Sequence, residues 1–237
     1  MKLLAIETST EYCSVALWQD GVVSARSEKV GQKHSEVLMA MVDGVLQDAG
    51  CKIKDMDGIA FGKGPGSFTG VRIACGVTQG LAFGVDVNVV GMCTLHALAE
   101  ASGKDKVIAA LDARMGELYL AAYQKEGDAW RTVIEPCLCK AEDAPVLAGD
   151  GWYGCGSGFA VSEALQQRYA AQLEGVDAQA VPQADAVVRL AAVEFALGNA
   201  VDAALALPLY LRDKVALTTR EREDERSTST SSVRTVV

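Results

Sequence analysis

The chain has 237 residues, half of them apolar, and 22 Lys and Arg against 31 Asp and Glu leave a net charge of -9. That length holds one large domain or two small ones with ample core. The acidic balance argues against this chain being the main grip on a nucleic acid, or a membrane-surface protein, because both roles draw on a surplus of Lys and Arg.

Leu3–Glu7 reads as a first strand, and it reaches Glu7 too soon to be the apolar core of a signal peptide. No apolar run of about 18 residues is read as a bilayer span, so the expected location is the cytoplasm. Cys13–Trp18 alternates and meets Asp20-Gly21, a two-residue hairpin signal, with Val22–Val30 returning. Helix one is predicted from Ser35 to Ala49, with Gly50 as its stop. Ile59–Phe61 is the next strand, a glycine-rich helix follows, then Val87–Val90 as a strand and Thr94–Ser102 as a short helix.

After Gly103 the pattern restarts. Val107–Asp112 is a strand, Glu117–Tyr123 alternates, Glu126-Gly127 turns and Ala129–Glu135 returns. Pro145–Ala148 reads as a strand, and Val161–Leu173 and Gln183–Leu197 as helices. Two halves with this order suggest duplication of one unit. The expected division is an N-terminal lobe over 1–103, a C-terminal lobe over 104–217, and a flexible tail over 218–237, whose charged run and STSTSS cannot bury a core.

The most informative stretch is Gly62–Gly84, GKGPGSFTGVRIACGVTQGLAFG. A glycine loop leading into a helix N-terminus offers inward N–H groups and the positive end of a dipole, which suits a phosphate. Gly64, Gly66, Ser67, Thr69 and Gly70 are the phosphate-loop-like residues, with Ser67 and Thr69 also able to cap the helix. Lys63 is followed by Gly64 rather than Ser or Thr, so this is not a Walker loop. Behind the loop, Gly76, Gly80 and Gly84 recur every fourth residue and leave one stripe without side chains. Each interior Gly costs about 1 kcal/mol against Ala, and close approach of another backbone is the usual reason to accept that. Helix one adds six apolar residues in a row, Val37–Val42. That run fits either a helix covered by its own domain or one with a second face on a partner protein. Arg72 opposes the helix dipole and needs a carboxylate, an anion or a second protein.

Catalytic equipment is sparse. The two histidines, His34 and His96, are not spaced for a helical metal site, and no GxSxG elbow occurs. The seven cysteines include no CxxC and read as reduced thiols; Cys137 and Cys139 form a CxC that is read as packed rather than zinc-binding. Glu7-Thr8-Ser9-Thr10 and Asp112-Ala113-Arg114 hold equivalent places in the two halves, where two-lobed nucleotide-binding folds grip phosphate and magnesium. The hairpin after Glu7 has no glycine to close over a phosphate. No catalytic residue, metal or cofactor is assigned.

LLAIETST, His34-Ser35-Glu36-Val37-Leu38, GKGPGSFTGVRIACG, Leu111-Asp112-Ala113-Arg114 and Pro208-Leu209-Tyr210-Leu211-Arg212 resemble the bacterial TsaB (YeaZ) family over about residues 1–217. The resemblance implies an α/β, actin-like ASKHA fold: two ribonuclease-H-like lobes with mixed five-stranded sheets flanked by helices. It implies a role in forming threonylcarbamoyladenosine beside the anticodon of tRNAs that read codons starting with A. It also implies a non-catalytic subunit, paired with a catalytic paralogue, TsaD, and joined by an ATPase, TsaE. It further implies homodimers through the same surface when TsaD is absent, and tRNA contacted mainly through the complex. The implied interface is Leu38, Met41, Val42 and Val45 on helix one with Arg72, Cys75, Gly76, Gln79 and Gly80 on the glycine helix. The competing reading is an ATP-dependent phosphotransferase or hydrolase of the actin-like group.

Overall fold

The computed structural model describes residues 1–212; the tail expected over 218–237 lies outside them. β1 (Lys2–Glu7), β2 (Tyr12–Gln19) and β3 (Val22–Lys29) form an antiparallel meander. β4 (Gly58–Gly64) and β5 (Val89–Cys93) extend it in parallel from β1, giving the order β3-β2-β1-β4-β5. The β2–β3 turn carries Asp20 and Gly21 at φ 49° and 96°, the left-handed pair that an Asp-Gly hairpin demands.

The second sheet repeats this plan. β6 (Lys106–Arg114), β7 (Glu117–Glu126) and β8 (Ala129–Cys139) are antiparallel, and β9 (Trp152–Cys155) and β10 (Leu173–Asp177) add in parallel on the far side of β6. The order β10-β9-β6-β7-β8 is that of the first sheet read from the other end. The duplication inferred from element order is therefore present in the topology: an α/β protein with two mixed five-stranded sheets.

Both faces of the first sheet are covered, so its central strand is apolar without alternation. Leu4 and Ile6 face α1 (His34–Asp48) and α2 (Phe68–Val85), while Leu3 and Ala5 face α6 (Ala184–Ala196). α3 (Thr94–Ala101) lies between the sheets: Ala97 joins the core under α6, and Leu95 and Leu98 join the core on β6 and β7. A division at residue 103 thus parts the sheets but not the helices, because α6 returns to the first sheet and α3 leans on the second.

Two expectations in the second half need correction, and one strand there was unannounced. Pro145–Ala148 is not a strand; the strand is Trp152–Cys155, too short and glycine-flanked to announce itself. The helix expected over Val161–Leu173 is two pieces, α4 (Ser157–Val161) and α5 (Glu163–Arg168), broken at Ser162. Ser162 is extended there, and its hydroxyl accepts from Leu165 N at 3.2 Å, which starts α5 afresh. The chain then runs into β10, whose sequence LEGVD carries no strand signal.

Candidate protein-docking interface

The loop that enters α2 is packed from within. Ser67 is the N-cap, its side chain accepting from Gly70 N at 3.4 Å, while its own N–H donates to the Ser9 carbonyl at 2.7 Å. A Cβ on Gly66 would stand 2.7 Å from Ser9 Cβ and from Ser9 O, and one on Gly70 would overlap the Thr8 carbonyl oxygen. Thr8 Oγ1 donates to the Gly70 carbonyl at 2.7 Å and is fully buried. Gly64 is buried against the Leu209 carbonyl, and Thr69 is exposed in the first turn. The expected phosphate cradle therefore holds the end of β1 and its following turn. Its glycines make room for Thr8 and Ser9, and two of its N–H donors are already used.

Beside it, the Glu7 carboxyl is buried, with one oxygen accepting from Ser9 N at 2.5 Å and the other, Oε2, without a partner. Burial pushes its pKa up, against the pull of the Ser9 hydrogen bond. In the second lobe, Asp112 is spent on its own hairpin: Oδ1 accepts from Arg114 N at 2.8 Å and Oδ2 from Arg114 Nη1 at 2.9 Å.

The rest of α2 behaves differently. Gly76, Gly80 and Gly84 are exposed, and a Cβ on any of them would meet nothing within 4 Å. Nothing among the described residues accounts for that stripe. Phe83 stands beside it, 61% exposed, and Phe68 opens the same helix half in solvent. Met39 projects from α1, which packs mainly on β2 and meets α2 at a few residues. The expectation that no segment could span a bilayer also needs correction, because α2 is long and apolar enough by length and composition. Its inner face lies on β4, yet only a third of its residues are buried. A helix this apolar and this uncovered is half core and half open surface.

Several expected contact residues point elsewhere. Leu38, Met41, Val42 and Val45 are buried in the core between α1 and the sheet, so helix one presents Ser35, Glu36, Met39, Ala40 and Asp43 outwards instead. Cys75 is buried, with its thiol on the Ala206 carbonyl at 3.4 Å. Gln79 Nε2 donates to the carbonyls of Ala203 and Ala206 at 3.2 and 3.1 Å. Of the nine residues in the implied interface, Arg72, Gly76 and Gly80 are exposed, Gln79 is half-buried and the other five are buried.

Arg72 finds aromatic partners rather than a carboxylate. Its guanidinium lies 3.6 Å from the Phe68 ring centroid, and Nε donates to the Tyr210 hydroxyl at 2.8 Å. Tyr210 belongs to a closing strap. Leu209 N donates to the Lys63 carbonyl at 2.6 Å, and Arg212 pairs with Glu117 at 2.7 Å in the second lobe. No local pattern announces these contacts beyond the closing PLYLR itself.

Both histidines pack within the fold. His34 is buried with Nε2 on the Tyr12 carbonyl at 3.1 Å. His96 stacks on Tyr123 at 4.7 Å, and desolvation pulls its pKa down to about 4. Among the described residues no cluster of three or more His, Cys, Asp and Glu could hold a metal.

A family model described as TsaD, tRNA N6-adenosine threonylcarbamoyltransferase, matches residues 19–219. The chain is 38% identical over 226 residues to the tRNA threonylcarbamoyladenosine biosynthesis protein TsaB of Escherichia coli, spanning 91% of this chain and 96% of that one. The chain belongs to the TsaB family. The TsaB protein of Haemophilus influenzae is 37% identical over 228 residues, with 91% of this chain and 95% of the relative covered. Among solved structures, YeaZ from Pseudomonas aeruginosa superposes with a TM-score of 0.80 at 38% identity, covering 89% of this chain and 99% of that chain. A second Pseudomonas aeruginosa structure, described as an uncharacterized protein with similarity to peptidase YeaZ, gives a TM-score of 0.83 over the same shares. The two-lobed TsaB fold therefore extends over nearly the whole described chain.

Proposed function

We propose that this chain serves in tRNA threonylcarbamoyladenosine biosynthesis as a non-catalytic subunit that docks a catalytic TsaD-like paralogue through the outer faces of α1 and α2. The TsaB-named relatives support the pathway. The observation that carries the docking role is the α2 stripe of Gly76, Gly80 and Gly84, exposed and without a neighbour within 4 Å of an added Cβ among the described residues. Three interior glycines sacrifice roughly 2–3 kcal/mol of helix stability together, and a second helix lying in the notch is the gain that compensates. The product is the modified adenosine beside the anticodon of tRNAs reading codons that start with A. A TsaE-like ATPase completes the assembly, and tRNA is contacted mainly through the complex, in the cytoplasm and away from membranes. Without the paralogue, a second copy of this chain takes the same face.

The alternative, an ATP-dependent phosphotransferase or hydrolase, drew on the glycine loop. That loop is occupied by Thr8 and Ser9, so the reading loses its main motive. The test is sedimentation of the chain with a TsaD-like subunit, alongside Gly80→Leu. The native chain should co-sediment, and the variant should fold normally but sediment alone and fail to support tRNA modification. Co-sedimentation and modification equal to the native chain would refute the docking role.

A further inference from the structure

β5 is the outer strand of the first sheet, and its free edge is covered only in part. Val89 exchanges both backbone hydrogen bonds with Val201, at 2.8 and 2.9 Å. That antiparallel ladder would next pair Gly91 with Asn199. It stops there, because Asn199 N turns back to the Glu194 carbonyl at 2.9 Å. Gly91 lies two residues beyond Val89, so its N–H and C=O also point away from β4. Among the described residues no strand pairs with them.

A cavity of about 470 Å³ opens at this break, a volume within the roughly 300–1,000 Å³ typical of ligand sites. Two opposite charges line it, Lys63 and Glu194. A Cβ on Gly91 would stand 3.2 Å from Lys63 Cβ and Cδ, so the bare glycine lets the lysine stem lie across the strand. Glu194 Oε2 accepts from Asn199 Nδ2 at 2.7 Å. Neither charge has an oppositely charged partner among the described residues. His96 lines the same cavity, and its Nε2 is buried with no hydrogen-bond partner. The rim is apolar: Leu205 and Leu207 stand 65% and 71% exposed beside Val201. Unpaired backbone, two unpaired charges of opposite sign and an apolar rim thus meet in one place.

We infer that this cavity binds a short apolar peptide by its two charged ends. Lys63 takes the carboxylate and Glu194 the ammonium. The peptide backbone pairs with Gly91 where the Val201 ladder breaks off, as an added strand does at a sheet edge. Its side chains cover Val201, Leu205 and Leu207, and His96 Nε2 meets a peptide group. A lone anion or cation would leave one of the two charges without a partner.

The test titrates the full chain with leucyl-leucine by calorimetry, beside its N-acetyl form and its C-terminal amide. Leucyl-leucine should bind saturably, and each blocked form should bind at least about tenfold more weakly, the size of one lost charge-assisted contact. Lys63→Met keeps the stem on Gly91 and should bind leucyl-leucine no better than the amide. Glu194→Gln keeps an acceptor for Asn199 and should bind it no better than the N-acetyl form. Thermal midpoints check that each variant is folded; the blocked peptides read the same two contacts on the native chain if one is not. No saturable binding, blocked forms as tight as leucyl-leucine, free leucine as tight as leucyl-leucine, or folded variants with native discrimination would each overturn the inference.

Discussion

One helix carries two kinds of glycine. At its entry, Gly66 and Gly70 are pressed against Ser9 and Thr8, so their missing side chains are explained inside the chain. Two turns later, Gly76, Gly80 and Gly84 face open space. The same residue type, a few positions apart, records two different constraints. The first set holds a lobe together, and the second meets nothing among the described residues, as a docking notch would. Glycine content alone does not separate a ligand loop from a packed turn, or either from a docking notch; what would meet an added Cβ does.

Adding single methyl groups breaks the comparison most directly. Gly70→Ala drives a Cβ into the Thr8 carbonyl, where backbone meets backbone and neither side can swing away. It should destabilise the chain by about 3 kcal/mol, read as a lower midpoint in urea denaturation. If Gly70→Ala were neutral, the filled loop would be wrong.

The packed side also holds the buried Glu7, whose pKa is raised by desolvation. A carboxyl with a folded pKa above its unfolded value binds more protons in the native state. Its contribution is therefore best at low pH and is lost as pH rises from about 4.5 through the folded pKa, at up to about 1.4 kcal/mol per pH unit. Urea midpoints across that range should show the fall in the native chain and lack it in Glu7→Gln. Equal profiles would mean that the carboxyl is not held dry under the loop.

The smallest effect has the opposite sign. Gly76→Ala adds a methyl to open space on a helix, so the chain diluted to its monomer should gain about 0.5–1 kcal/mol, seen as a higher thermal midpoint. A loss of stability there would mean that the stripe is packed after all.

Much of the fold was legible from local signals. Asp20-Gly21 announced its hairpin, and the apolar period with Gly50 bounded α1 to within a residue at each end. β9 and β10 were not legible, because WYGC and LEGVD gain strand geometry from pairing with β6 and each other. The site was half legible. The glycine stripe could be read directly, but six consecutive apolar residues wrap all round a helix and hide its inward face. That is why Leu38, Met41, Val42 and Val45 are core while Met39 faces out. The hydrogen bond between Arg72 and Tyr210 joins residues 138 positions apart, and no local pattern encodes it.

The most direct test of the docking face is binding of a TsaD-like subunit to Gly80→Leu and to Gly76→Ala, measured by calorimetry beside the thermal midpoint of each chain. The account predicts that Gly80→Leu matches or exceeds the native midpoint and loses binding by at least about a hundredfold, the roughly 3 kcal/mol that overpacking a close helix contact takes. Gly76→Ala should gain stability and lose some affinity. Native affinity in Gly80→Leu would contradict the account, because a leucine on that stripe cannot share the space with a docked helix.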